Sequence, residues 1–518
     1  MNWSSINELF VPRRLRPRGA QRNWAVAATP LLCGLGFLQT SSQEVLAQSK
    51  QIDQSDVAAA EQVQQVWDLQ LTPASEPRPA LKYQLRPPYR MQQPGDATPH
   101  YYRALLMDAE LPSDLKKQYV DRSEHWSGDD DASREEMRKW LAKYHQVYKE
   151  LLIATYRERV DWDLRIRDLK GMETIAFLLP DAQRMRDLGR MLQIKARLEI
   201  SEGHFDEAIE TLRVGYRLSY AVAQTPTLIN DLVGVAITSM MTVELTRLVA
   251  QPDAPNMYWA IASLPHPVID MREAMDWERS VPWKIFPLLR DPENAVRTSD
   301  EWRQFVTESY TKFHELSGDY AGKPGPMSEL MATGLVMKNY PLAKQALIEG
   351  GMDRERVDAM PVGQVIAIHT SRSLEYAYDE TFKWMLLASG DIYERGAATE
   401  RRLREEGHFG EGGRPLGILP IGGLLIPAVS QAWFAAARLE RQLAAVQTIE
   451  AIRLYAASHD GELPKSLDEI ESVVVPSNSV YLKQLEYRVD GKQAVLETVP
   501  RSKDRRRSDV YRYQLRVN

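Results

Sequence analysis

In the last quarter of the sequence, residues 416–429 read LGILPIGGLLIPAV and residues 430–459 read SQAWFAAARLERQLAAVQTIEAIRLYAASH. In the second part, apolar side chains recur at steps of three and four residues, which is the spacing of one helix face. They are Leu439, Leu443, Val446, Ile449, Ile452 and Ala456. Asp460-Gly461 then supplies a helix stop. The sequence therefore predicts a long helix over Ser430–His459 with one buried face.

The residues that lead into this helix form an uncharged segment. Residues 415–437 carry no charged side chain, and a segment of that length is sufficient to cross a bilayer. However, Pro420, Pro427 and the pair Gly422-Gly423 disfavour a continuous helix. We therefore expect an apolar loop that enters a buried helix, and a membrane segment is the alternative.

Beyond the helix the pattern changes to that of strands. Leu485–Val489 and Ala494–Val499 flank Asp490-Gly491, which is a strong hairpin signal. Residues 511–517 alternate apolar and polar side chains, as a half-buried strand does. Residues 415–518 are thus predicted to form a small α+β unit, with the long helix packed on about three antiparallel strands.

The region before residue 410 has helical periodicity. Ser133 and Glu136 form a capping box, which predicts a helix that begins there and continues to about Arg159. Leu228–Val243 carries Asp231 as its one charged residue and is predicted to be the central buried helix. The other predicted helices are Asp181–Glu202, Phe205–Gln224, Pro226–Ala250, Pro267–Arg279, Ser299–Leu316, Pro326–Glu349 and Arg354–Glu406.

One helical pair, residues 183–224, resembles a single tetratricopeptide-type hairpin. Its residues are Leu192 and Ala196 in the first helix, Gly203-His204-Phe205 in the turn, and Ala208, Leu212 and Gly215 in the second helix. The small residues among them allow two antiparallel helices to approach closely. No second copy follows at a fixed period, whereas a solenoid needs about three. The resemblance therefore implies one degenerate TPR-like unit, an αα-hairpin.

At 518 residues, the chain is long enough for two or three domains. Residues 48–98 are rich in proline and glutamine and are predicted to be a linker or an extended arm, in which Ala80–Leu85 is a candidate short strand. Residues 99–409 are predicted to be an α-helical domain that ends at the charged and glycine-rich segment 400–413. The expected fold class is mainly α, with the small C-terminal α+β unit.

The first 47 residues have the order of an export signal. Five arginines precede Trp24–Leu38, which is uncharged and mostly apolar, and Val45-Leu46-Ala47 offers small residues at a cleavage site. The apolar run of 15 residues is shorter than the ~20 of a membrane span. We expect residues 1–47 to be a cleaved signal peptide and the protein to be exported to the cell envelope or periplasm. An uncleaved membrane anchor is the alternative.

Composition excludes several kinds of chemistry. The net charge of −6 lacks the basic footprint of a nucleic-acid-binding protein. The one cysteine, Cys33, lies in the predicted signal, so the processed chain has no thiol chemistry. No two of the nine histidines lie within eight residues of each other, which excludes a helical zinc pair. We therefore expect no metal and no cofactor.

The densest acidic group follows His266 and contains Asp270, Glu273, Asp276 and Glu278, with Trp277 one turn after Glu273. The candidate catalytic residues are His266, Asp270 and Glu273. On a helix that begins at Pro267, Asp270 and Glu273 share a face, and carboxylates beside an aromatic ring can serve acid–base catalysis. The simpler interpretation, which we favour, is a solvated first turn, because the helix dipole stabilises acidic residues there.

The C-terminal part resembles the pilins and pseudopilins, in particular the pilin-like exported proteins of planctomycete bacteria. The resemblance rests on residues 424–429 (LLIPAV), on the helix that follows, and on Tyr455 with residues 459–464 (HDGELP). The whole chain also resembles uncharacterised, exported, helix-rich proteins of that group. In a pilin this helix is the processed N-terminus, whereas here it is internal. The resemblance therefore implies a fold more than a function.

These patterns favour an exported, non-enzymatic helical protein that acts through protein–protein contacts. One alternative is an envelope hydrolase with a site assembled around His266, Asp270 and Glu273. The other is a pilin-like component of a membrane-associated assembly or secretion system, which the resemblance implies. A protein partner is expected in the first case, and membrane contact through the N-terminal segment if that segment is retained.

Overall fold

The computed structural model describes residues 65–115, 122, 126–128, 130–171, 173–176, 179–317, 326–387, 392–406, 421–476, 484–499 and 511–517. These residues are mainly helical and carry a small sheet towards the C-terminus, so the predicted fold class is confirmed. The predicted signal peptide, residues 1–47, lies outside the described residues, as does the glycine-rich segment 410–414.

The first half begins with a strand and a layer of short helices. Its elements are β1 (Gln65–Leu71), β2 (Gln93–Asp96), α1 (Thr98–Glu110), α2 (Asp131–Ala142), α3 (His145–Thr155), β3 (Arg157–Arg159) and α4 (Glu173–Ala176). The single helix predicted from Ser133 to Arg159 is therefore wrong. The cap of α2 is Asp130, whose side chain accepts the Ser133 N–H at 2.8 Å. The helix ends where the Tyr144 N–H turns to the carbonyl of Leu141, three residues back, and β3 pairs in parallel with β2.

Three long helices form the centre of the helical region: α5 (Leu179–Ser201), α6 (Phe205–Val222) and α7 (Leu228–Val249). They pack against one another as an αα-hairpin with a third helix laid on it. Small residues let them approach closely: a Cβ on Gly234 of α7 would lie 2.9 Å from the backbone oxygen of Ser219 in α6. Among the described residues α7 alone is apolar and long enough to cross a membrane, and 78% of its most apolar window is buried. It is the predicted central buried helix.

The second half continues with shorter helices. They are α8 (Tyr258–Ala262), α9 (Arg272–Ile285), α10 (Ser299–Ser317), α11 (Pro326–Glu349), α12 (Arg354–Ala359), α13 (Val362–Phe382) and α14 (Ile392–Glu405). The continuous helix predicted over Arg354–Glu406 is wrong because Pro361 interrupts it. Proline has no N–H to donate and keeps the residue before it extended, and Met360 has ψ 145°. Pro361 itself is the N-cap of α13.

The long C-terminal helix is present as α15 (Ile421–Ser458). It begins at Ile421 and continues through Pro427, so the apolar loop expected over residues 421–429 is helical. The buried face is the predicted one, since Leu443, Val446 and Ile449 are each at most 1% exposed. The helix contacts α7, α8, α13, α14 and the sheet, and therefore joins the helical region to the strands.

The sheet contains the three predicted strands and one more. Strands β4 (Gln484–Asp490), β5 (Gln493–Val499) and β6 (Tyr511–Val517) are antiparallel neighbours, and Gly491 makes the predicted hairpin turn with φ +57°. The strand order is β1-β6-β5-β4. Strand β1 pairs in parallel with β6, with Gln65 opposite Tyr511. The segment predicted as a linker or arm thus contributes an edge strand.

A buried arginine fastens this arm to the rest of the molecule. Arg453 of α15 is 1% exposed and donates to the carbonyl of Thr72 at 3.0 Å, to that of Ala254 at 2.8 Å and to the Glu450 carboxylate at 3.0 Å. Further along the arm, Ala80–Leu85 is not the candidate strand but a turn, in which the Lys82 N–H donates to the carbonyl of Pro79.

Candidate functional site

The candidate His266 lies in the loop before α9 rather than at a helix start. Helix α9 begins at Arg272, so the helix predicted from Pro267 is wrong. The intervening residues use their backbone donors elsewhere: the Val268 N–H donates to Glu440 of α15 at 2.7 Å. Val268, Ile269 and Met271 are also buried in the core, which a solvated first turn would not allow.

His266 is paired with a buried carboxylate. Its Nδ1 lies 3.4 Å from Oε2 of Glu440, which is 6% exposed, whereas the imidazole is 54% exposed. The hydrogen bond to Glu440 raises the pKa of His266. An exposed imidazole oriented by a buried carboxylate is the arrangement of a general base and its positioning group.

The other two candidates do not complete a set with His266. Asp270 forms hydrogen bonds with the guanidinium of Arg272 at 2.9 and 3.0 Å, and this contact holds the pKa of Asp270 below its usual value. Glu273 is exposed in the first turn of α9, where the helix dipole favours an acid. In the described structure, His266 faces Glu440 and Asp270 faces Arg272.

A second group of carboxyls lies behind Asp270 and Glu273. Asp231 of α7 is 1% exposed, and neither of its carboxyl oxygens has a hydrogen-bond partner in the described part of the chain. Burial, and then the charges of Asp270, Glu278 and Glu273, raise the pKa of Asp231 well above its usual value. Burial without a partner therefore favours the protonated, neutral form of the Asp231 carboxyl.

Glu278 of α9 belongs to the same group. It accepts the N–H of Leu228 at 3.2 Å, which satisfies one of the free donors at the start of α7. Burial raises the pKa of Glu278 to about 7, although that hydrogen bond opposes the rise. A carboxyl with a pKa near neutral pH can act as a general acid or a general base.

The sequence contains one signal for this group, which is the lone charge of Asp231 in an apolar run. Glu278 belongs to the acidic group that follows His266, but nothing in the sequence indicates that it lies near Asp231, since α7 and α9 meet only in the folded chain. Tyr378 of α13, 100 residues after Glu278 in the sequence, also belongs to this group. Its buried hydroxyl has no partner among the described residues. Burial raises the pKa of Tyr378, and the charge of Glu278 raises it further.

Among the described helices, α11 has the most exposed large apolar side chains. Four of its side chains are more than half exposed: Leu330 (65%), Met331 (55%), Met337 (73%) and Leu342 (54%). The opposite face packs on α10 and α13 and buries Ala332, Ala343 and Leu347. A Cβ on Gly334 would meet no atom within 4 Å, so the exposed face has a recess there.

The exposed face of α11 can bind a protein, and the imidazole and carboxyl groups can transfer a proton. The described residues contain no group of three or more His, Cys, Asp or Glu placed to hold a metal ion. Comparison with known proteins found no match. No family model, no curated protein and no solved structure matches it.

Proposed function

We propose that this is an exported, non-enzymatic protein that acts through protein–protein contacts, and that the exposed apolar face of α11 is its binding surface. The observation that supports the proposal is the exposure of four large apolar side chains on one helix. Apolar patches of this kind on a folded chain mark interaction sites. The export part of the proposal rests on the sequence of residues 1–47.

The four side chains form a continuous face. At 100° per residue, Met337, Leu330, Met331 and Leu342 fall within an arc of about 140°. Full burial of a Leu or Met side chain is worth about 1.5–3 kcal/mol, so covering four that are more than half exposed contributes several kcal/mol to an association. Between Leu330 and Leu342, Lys338 is the one charged residue inside this arc.

The partner that fits this face is a protein helix with an apolar stripe. The recess at Gly334, between Leu330 and Met337, can receive a side chain from a facing helix. Two of the four side chains are methionines, which are unbranched and adapt to the shape of a partner. Low charge on both surfaces would avoid the cost of burying an unpaired ion.

A photo-crosslinking experiment tests the proposal. A crosslinking amino acid at position 337 is expected to capture a protein from an envelope fraction, and the purified pair is expected to associate. Met337→Asp should weaken that association by at least about 2 kcal/mol, since a charge would enter an apolar contact. Val296→Asp is the matched control, because Val296 is 99% exposed but lies in a loop away from the arc.

Three outcomes contradict this function. One is a Met337→Asp protein that binds the captured partner as tightly as the parent. Another is crosslinking at position 296 that equals crosslinking at position 337. The third is attachment of the parent, but not of Met337→Asp, to protein-free lipid vesicles, which would show that the face binds a membrane and would favour the membrane-associated alternative.

A second candidate function is a hydrolase, favoured by the Glu278 carboxyl, whose pKa is about 7, beside the buried Asp231, whose pKa is also raised. Such a pair can supply a proton donor and a proton acceptor at neutral pH. If it does, hydrolysis of chromogenic ester or glycoside substrates should depend on pH near 7 and fall at least about 100-fold in Glu278→Gln. Activity that is unchanged in this variant would exclude Glu278 from the chemistry.

A further inference from the structure

Tyr220, near the end of α6, is contacted by two arginines. The guanidinium carbons of Arg86 and Arg217 lie 5.7 and 5.2 Å from the centroid of its ring. Hydrogen bonds to backbone carbonyls position the side chain of Arg217 and the segment that carries Arg86. Arg217 donates to the carbonyl of Arg157 at 3.0 Å, and the segment that carries Arg86 is fixed to α6 by Arg213, which donates to the carbonyl of Gln84 at 2.7 Å.

Among the described residues, these two arginines have no acidic partner. Within the described parts of the chain, neither Arg86 nor Arg217 forms an ion pair, and the same holds for Arg159, Arg165 and Arg167 nearby. Elsewhere arginines are commonly paired, as Arg279 is with Asp379 and Arg372 with Glu293. Two guanidiniums over one ring repel each other, and an oxyanion between them would remove that repulsion.

The surface around Tyr220 has two adjoining depressions. The first, of about 20 Å³, lies against Arg86 and Arg217 and has an apolar floor that includes Leu85, Leu264 and Val268. A space of that size holds one small group. The second, of about 340 Å³, shares Arg217 and Tyr220 with the first and is lined on its other side by Glu158, Arg159, Val160, Asp161 and Gln224.

The two depressions differ in chemistry. The first offers two donors of fixed positive charge, which suits one carboxylate, sulfate or phosphate group. The second offers the carboxylates of Glu158 and Asp161, the guanidinium of Arg159 and the amide of Gln224, all on exposed residues. Carboxylates accept hydrogen bonds from hydroxyl groups and repel further anions. In the second depression the two carboxylates offset Arg159 and the shared Arg217, which leaves no excess positive charge for a polyanion such as a nucleic acid. A ligand with one anionic group and several hydroxyls satisfies both depressions.

We infer that Arg86, Arg217 and Tyr220, with Glu158, Asp161 and Gln224, form a binding site for an acidic sugar, which we call the Tyr220 site. The oxyanion of the sugar lies between the two guanidiniums. Its hydroxyls donate to Glu158 and Asp161 and exchange hydrogen bonds with Gln224. This site is separate from the apolar face of α11, and the inference does not depend on the proposed function.

Calorimetric titration of the full-length protein with four probes tests the inference. Glucuronate and glucose 6-phosphate carry the two kinds of oxyanion, glucose lacks an anion, and inorganic phosphate lacks a sugar. At least one acidic sugar is expected to bind with a Kd of about 1 mM or tighter, and at least about tenfold more tightly than glucose and inorganic phosphate. Comparison of glucuronate with glucose 6-phosphate then identifies the oxyanion that the site prefers.

Matched variants separate this site from general anion attraction. Arg86→Gln should weaken binding of the acidic sugar by at least about tenfold, whereas Arg354→Gln should leave it unchanged. Arg354 suits this comparison because it is also exposed and has no ion-pair partner in the described chain. Gln224→Ala should lower the affinity for the acidic sugar by about threefold or more without changing the affinity for inorganic phosphate. Urea unfolding checks that each variant is folded.

The inference is overturned if neither acidic sugar binds more tightly than glucose, or if Arg86→Gln binds as tightly as Arg354→Gln. Equal affinities for inorganic phosphate and both acidic sugars would also overturn it, since they would show a bare anion site.

Discussion

Replacement of Arg453 by methionine should destabilise the protein substantially, because Arg453 is the buried connection between the arm, α15 and the loop after α7. Methionine has a similar length but cannot donate. The change would leave Glu450, which is fully buried, without its cation, and the carbonyls of Thr72 and Ala254 without this donor. Removing one partner of a buried ion pair costs about 3–5 kcal/mol. We expect a loss of that size in the free energy of unfolding.

Two further variants show that the loss comes from the unpaired charge. Glu450→Gln in the Arg453→Met background should recover much of the stability, because glutamine removes the charge and keeps an oxygen that can accept the Met257 N–H. Arg488→Met is the surface control: Arg488 is paired with Glu486 at 3.0 Å but is 72% exposed. Exposed pairs contribute only about 0–1 kcal/mol, so this change should have little effect.

The pH dependence gives an independent check. Burial raises the pKa of Glu450, and Arg453 opposes that rise. Without Arg453, the folded variant holds the Glu450 proton more tightly than the unfolded chain does. The variant's loss of unfolding free energy relative to the parent should therefore be smallest below pH 4.5, the ordinary glutamate pKa. It should grow as the pH rises through the raised pKa of Glu450 in the folded variant.

Urea unfolding followed by circular dichroism measures these free energies, and hydrogen exchange over residues 65–74 reports release of the arm. A loss below about 1 kcal/mol in Arg453→Met, or a deficit that does not change with pH, would refute the interpretation of Arg453 as a buried connection.

Three other changes test the packing. Asp231→Asn should reduce the pH dependence of the free energy of unfolding. The Asp231 carboxyl has a raised pKa in the folded protein, so its contribution to stability is present at low pH and is lost as the pH rises. Equal pH slopes in urea titrations of parent and variant would contradict this. Ile449→Val should lower the free energy of unfolding by about 0.5–1.5 kcal/mol and Ile449→Asp by more than about 3 kcal/mol, because the side chain is 0% exposed. An Ile449→Asp protein as stable as the parent would show that α15 is not a shared core. Gly234→Ala should be less stable than Gly334→Ala by about 1–3 kcal/mol, since only the first brings a Cβ against a backbone oxygen. Equal melting temperatures would exclude close packing at Gly234.

Local patterns predicted much of the architecture. The periodicity of residues 439–456 placed the buried face of α15, and the turn at Asp490-Gly491 placed the hairpin of the sheet. Errors occurred where a tertiary contact competes with a local signal. Ser133 has the chemistry of a cap, but Asp130 takes that role, and residues 267–271 are drawn into the core instead of forming the first turn of α9.

The site residues were predicted less well, because their partners are distant in the sequence. His266 gives no indication that Glu440 lies beside it, 174 residues later. Arg86 and Arg217 meet at one tyrosine only because the arm crosses α6. Asp231 alone carried a usable signal, since a single carboxylate in an apolar helix must find a partner or lose its charge.

The pairing of β1 with β6 has a consequence for how the chain folds during synthesis. Gln65 lies opposite Tyr511, 446 residues later, so a strand made early must wait for one of the last segments to be made. Closing a loop of that length carries an entropy cost of about 5 kcal/mol, and distant pairings of this kind form slowly. Until then Trp67, Leu69 and Leu71 lack the neighbouring strand. A chain truncated before residue 511 would therefore present an unpaired apolar strand near its start, which is a target for chaperones and proteases.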